Sequence, residues 1–159
     1  MKILLAEKSK SLISALMLVI SQIKENEVKE IGLILHVDKV VNLHKELKKD
    51  KPDILIINGG FVDHLTIKTV LTLKELYPAM KILILSIDPE VGKKYLEMVG
   101  IDDFIIKGNS AKIFYNSMVR FLKKEQKRLQ LEVLRASNFI NSKKKPGWQA
   151  KKLNRVIEY

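Results

Sequence analysis

The sequence predicts a doubly wound α/β domain: a five-stranded parallel sheet with helices on both faces and an extended C-terminal helix. Short runs of strand formers are apolar on both faces, and the segments between them carry apolar residues at helical spacing. The two patterns alternate from the first residues to about residue 122. Strands hidden on both faces and separated by helices belong to parallel sheets covered on two sides.

Ile3-Leu4-Leu5-Ala6 predicts the first strand. Leu12, Ile13, Leu16, Val19, Ile20 and Ile23 then recur at helical spacing, with Ser9 as the N-cap. Ile31 to Leu35 predicts the second strand, and Asp38 is the expected cap of a helix carrying Val40, Val41, Leu43 and Leu47. Asp53 to Ile57 predicts the third strand. Asp63 is expected to open a helix with Leu65, Leu73 and Leu76, stopped by Tyr77-Pro78. Ile82 to Leu85 predicts the fourth strand. Asp88-Pro89-Glu90 combines a cap, a proline in the first turn and an acid near the positive end of the dipole. That helix is expected to end at Gly100, where a left-handed residue suits glycine. Phe104-Ile105-Ile106 predicts the fifth strand, and Ser110 caps one long helix to about Phe139.

At 159 residues the chain is long enough to bury a substantial core. It has no cysteine, which excludes disulfides, thiolate zinc sites and thiol nucleophiles. No apolar run approaches membrane-spanning length and no basic stretch precedes an apolar one, so a soluble cytoplasmic protein with no membrane contact is expected. The charge is uneven. Residues 1–119 hold 17 lysines and arginines against 15 acids, a net of +2, whereas residues 120–159 hold 12 against 3, a net of +9. A near-neutral body followed by a basic segment points to polyanionic partners, namely nucleic acid or an acidic protein face.

Four segments in order carry a resemblance: Ile3-Leu4-Leu5-Ala6-Glu7, Pro52-Asp53-Ile54-Leu55-Ile56-Ile57, Tyr77-Pro78 before Lys81-Ile82-Leu83-Ile84-Leu85-Ser86, and Gly100-Ile101-Asp102-Asp103-Phe104-Ile105-Ile106-Lys107. Residues 1–122 resemble a response-regulator receiver domain of two-component signalling, which implies a flavodoxin-like five-stranded parallel sheet. Members of that family accept a phosphoryl group from a histidine kinase with the help of Mg²⁺. By the resemblance, the acidic pair after the first strand corresponds to Glu7 and Lys8, and the phospho-accepting aspartate corresponds to Asn58. The hydroxyl ending the fourth strand is kept as Ser86 and the lysine ending the fifth as Lys107. Val62 stands where the family has a proline four residues after the acceptor.

Asn58 is the outlier, because an amide is a far weaker nucleophile and metal ligand than a carboxylate. Three carboxylates and one lysine would give the family's site a formal −2, suited to a hard divalent cation. Glu7, Lys8 and Lys107 give +1 instead. Two like charges about 4 Å apart at an effective dielectric near 20 repel by roughly 4 kcal/mol. No metal and no cofactor is therefore expected. The expected arrangement is a degenerate acceptor site in which Glu7 neutralises Lys8 or Lys107 and Lys107 donates to the Asn58 carbonyl oxygen.

Other chemistry finds little footing. His36, His44 and His64 share no metal-binding spacing, and Gly59-Gly60 lacks the lysine and serine of a phosphate-cradling loop and reads as a turn. Ser86 has neither a nucleophile elbow nor a histidine partner. No enzyme is expected.

Beyond the body, Leu122, Gln126, Leu129, Val133, Ala136 and Ile140 follow a 4-3-4-3-4 rhythm. Residues 123–141 thus form a helical extension. It has two readings, a dimer seam built by Leu122, Leu129, Val133, Ala136 and Ile140, or a helix folded back on its own domain. Residues 142–159 form a basic tail or the start of a further domain, after a polar break over Asn141–Gly147. Lys143, Lys144, Lys145, Lys151, Lys152 and Arg155 are its candidate contacts to nucleic acid or an acidic partner. The sequence therefore points to a homodimeric, phosphorylation-independent response-regulator-like protein, in transcriptional regulation through DNA. The alternative is a signalling adaptor with no nucleic-acid role.

Overall fold

Five strands run parallel in the order β2-β1-β3-β4-β5. They are β1 (Lys2–Ala6), β2 (Leu33–Val37), β3 (Ile54–Asn58), β4 (Lys81–Ser86) and β5 (Asp103–Ile106). The helices between and after them are α1 (Lys10–Asn26), α2 (Val40–Asp50), α3 (Ile67–Leu76), α4 (Pro89–Val99) and α5 (Ala111–Lys143). This is the flavodoxin-like receiver topology in a computed structural model that describes residues 1–58, 61 and 67–143. The expected helix start at Asp63 with Leu65, the Gly59-Gly60 turn, Val62 and His64 lie outside the described residues.

Strand alternation sorts the core onto two faces. Leu4, Ala6, Leu55, Ile57, Ile82 and Ile84 pack with Leu43, Leu47, Val70, Leu73, Tyr95 and Val99, so α2, α3 and α4 cover one face. Ile3, Leu5, Ile54, Ile56, Leu83, Leu85 and Ile105 pack with Leu16, Ile20, Ile23, Met118, Phe121 and Leu122, so α1 and the first half of α5 cover the other. At about 25 cal/mol per Å² of apolar surface removed from water, these two faces supply most of the folding drive.

The helix signals read from sequence are mostly used as expected. Ser9 Oγ accepts from the Leu12 N–H, Asp88 Oδ1 from the Glu90 N–H, and Ser110 Oγ from the Ile113 N–H. Gly100 closes α4 at φ 66°, its N–H reaching the Leu96 carbonyl. Three expectations are corrected. The second strand starts two residues late, because Gly32 N–H bonds the Met1 carbonyl and pairing with β1 begins at Lys2 with Leu33. Ile31 is instead buried in the turn before it. Asp38 is not a cap; the position falls to Lys39, which makes no side-chain cap bond, because pairing holds β2 as far as Val37. Finally, α5 continues through Asn141, Ser142 and Lys143, where a break was expected, since no glycine or proline interrupts it and Ser142 Oγ donates to the Phe139 carbonyl.

Asp102, just before β5, ties the sheet to α3. Its carboxylate accepts from the Ile82 N–H at 2.8 Å and pairs with Lys81 at 2.9 Å and Lys74 at 3.0 Å. Burial alone would raise its pKa, but the Ile82 N–H and then the two ammonium groups outweigh it and hold the carboxyl below its ordinary 3.8. With the folded value depressed, the stabilisation is complete above the unfolded aspartate value and fades as pH falls through the folded one. Asp102→Asn is expected to cost about 2 kcal/mol near neutral pH, read as a lower urea midpoint. The gap to the parent should narrow in acid; a gap constant down to the acid limit would refute this role.

The chain divides into two units, Met1–Lys123 and Lys124–Tyr159. Leu122 belongs to the core of the first, fully buried beside Met118 and Phe121, so it is removed from the expected seam. In the second unit Leu129 is half-buried, whereas Val133, Ala136 and Ile140 are exposed. Lys144, Lys145, Lys151, Lys152 and Arg155 lie outside the described residues, and Lys143 is the last residue of α5.

Candidate functional site

Parallel register brings the strand ends to one edge of the sheet. Ala6 pairs with Ile57, Asn58 with Leu85, and Ser86 with Ile106. Glu7, Asn58, Ser86 and Lys107 therefore gather at the carboxyl edge, where open α/β sheets place their ligands. The sequence predicted all four, and the fold assembles them.

Each is fixed by backbone bonds as well as by side chains. Glu7 N–H bonds the Val37 carbonyl and Lys107 N–H the Ser86 carbonyl, at 3.0 and 2.8 Å. Asn58, the last residue of β3, is buried, and its Oδ1 accepts from Lys107 Nζ. That is the bond expected from sequence. Ser86, also buried, spends its hydroxyl locally, donating to the Asp88 carbonyl at 2.8 Å and accepting from the Asp88 N–H at 3.1 Å. It thereby fixes the turn into α4. The signal for this was present in the short Ser86-Ile87-Asp88 spacing, where a hydroxyl competes for nearby backbone groups.

Glu7 departs from expectation. No ion pair joins it to Lys8 or Lys107 among the described residues. Its Oε1 accepts from the Ser9 N–H at 2.8 Å, at the start of α1 where the dipole favours an anion. Its Oε2 is buried without a hydrogen-bond partner. Lys8 is exposed to solvent. Hydration stabilises the Lys8 ammonium there without the ordering cost of a surface ion pair, and Lys107 is committed to Asn58.

The residues do not fit a divalent cation. A hard cation wants several oxygen ligands, mostly anionic. Glu7, Lys8, Asn58, Ser86 and Lys107 together offer one carboxylate, an amide oxygen already holding an ammonium group, a hydroxyl engaged with Asp88, and a second lysine. No three His, Asp or Glu residues converge on one point among the described residues. The two described histidines add nothing to the edge: His36 is exposed on β2, and His44 is exposed on α2, 6.2 Å between ring centres from Tyr77.

No protein-family model matches the sequence, and no curated protein matches it. Solved structures do match. The signal receiver domain of a two-component response regulator from Bacteroides fragilis is 14% identical, with a TM-score of 0.62 over 79% of this chain and 95% of that one. A response regulator receiver domain from Clostridium thermocellum is 13% identical, with a TM-score of 0.63 over 82% and 97%. RcsB from Salmonella enterica serovar Typhimurium, bound to the promoter rprA with the phosphomimetic BeF3-, is 17% identical, with a TM-score of 0.62 over 87% and 68%. The chain thus has the receiver fold, and no described helix is long and apolar enough to cross a membrane.

Proposed function

We propose that this chain is a receiver-fold regulatory protein that works without phosphorylation and acts by association, in transcriptional control. The observation that supports it is the Asn58–Lys107 bond. In the position where the receiver resemblance puts an acceptor aspartate stands an amide, and the nearby ammonium group is already engaged with it. Such a cluster holds one arrangement of the edge and offers neither nucleophile nor metal ligand set. The DNA role is supported by the +9 of residues 120–159 and by analogy with the promoter-bound neighbour. Duplex affinity falling steeply with salt would support it, and its absence would favour the adaptor reading.

Treatment with acetyl phosphate and Mg²⁺, followed by mass spectrometry of the intact chain, tests the core of the reading. No adduct is expected. A stoichiometric gain of about 80 Da, one phosphoryl group, would overturn it.

A further inference from the structure

Among the described residues, the second unit carries apolar side chains on one face of α5 that are half-buried at Leu129 and exposed from Val133 on. Along α5, Leu129, Val133, Ala136 and Ile140 fall within roughly 60° of the helix circumference, at 3.6 residues per turn. Val133 is 66% exposed and Ile140 54%. The 4-3-4 spacing assigns Val133 and Ile140 to the a positions of a heptad, and Leu129 and Ala136 to the d positions. Gln126, half-buried, takes the preceding a position.

We infer that this face binds a second copy of the same chain in a parallel, in-register, two-stranded coiled coil. The residue types decide strand number and direction. β-branched Val133 and Ile140 at a with Leu129 at d favour two parallel strands, and Ala136 at the other d lets the two helices approach closely there. In register, the Gln126 amides meet each other and satisfy donor with acceptor, whereas an antiparallel or shifted pair sets each amide against an apolar partner. The flanks agree. Glu132, 53% exposed, takes a g position, and in a parallel pair it faces Ser137 of the other copy rather than a like charge; Glu125, the preceding g residue, is buried within its own chain. Arg128 further neutralises both glutamates within its own helix, at 2.7 Å each. Leu134, 58% exposed, lies off the seam.

This inference rests on the association reading above, but its test is separate from it. The chain lacks cysteine, so single-cysteine variants of the full chain report one position each. Leu129→Cys, Ala136→Cys and Leu134→Cys would be oxidised mildly at micromolar concentration, run on non-reducing gels, and checked for helicity by circular dichroism. A parallel, in-register pair sets like d residues face to face. Both Leu129→Cys and Ala136→Cys should therefore give linked dimers. Leu134→Cys should not, because off-seam positions exceed the ~7 Å Cα separation that a disulfide spans. Linking by only one of the two seam positions would mean antiparallel pairing and overturn the inference. So would equal linking at Leu134→Cys, or a wild type that sediments as a monomer. A phosphoryl adduct, by contrast, would sink the phosphorylation-independent reading and leave this linking pattern unchanged.

Discussion

Changing Lys8 and Asn58 to aspartate together is expected to convert a site that takes no phosphoryl group into one that does. The double change moves the formal charge of the edge from +1 to −2 by placing two new carboxylates beside Glu7, whose buried Oε2 has no hydrogen-bond partner. Lys107 would then pair with a carboxylate instead of donating to the Asn58 amide. Mg²⁺ binding at roughly millimolar concentration by calorimetry, and an adduct of about 80 Da after acetyl phosphate, are the expected results. Asn58→Asp alone should fall well short, because the edge then holds only two of the three carboxylates that the resemblance assigns to a cation site. Restoration by the single change would show that the amide is the whole defect, and failure of the double change would show that the backbone geometry of the edge is itself unsuited.

Leu122→Ala is expected to destabilise the first unit by about 3 kcal/mol, whereas Val133→Ala should leave it nearly unchanged. The two residues sit on the same rhythm in the sequence. Yet Leu122 is fully buried beside Met118 and Phe121, and truncating it opens a cavity in a close-packed core. Val133 has no such surroundings, being 66% exposed. Urea unfolding at low micromolar concentration, where a short coil contributes least, separates the two. Equal losses would mean that Val133 is covered within its own chain.

Local pattern was enough for much of this protein. Period-two and period-3.6 repeats, three side-chain caps and one left-handed glycine are set by neighbours within a few residues, so strands, helices and their order were legible in the sequence. So was the gathering of Glu7, Asn58, Ser86 and Lys107, because parallel strands in this topology end at a common edge. The Asn58–Lys107 bond was legible too, as a buried amide oxygen beside an ammonium group has little else to choose.

What tertiary structure decided are the competitions between partners far apart in the chain. Pairing with β1 set the start of β2 at Leu33 and left Asp38 without a cap to make. Glu7 took the Ser9 N–H rather than a lysine, and Lys8 stayed exposed to solvent. Heptad spacing could not tell Leu122 from Leu129, because spacing fixes which face of a helix a residue occupies and says nothing about what lies opposite. Burial against the sheet removed Leu122 from the row, which spacing alone could not foresee.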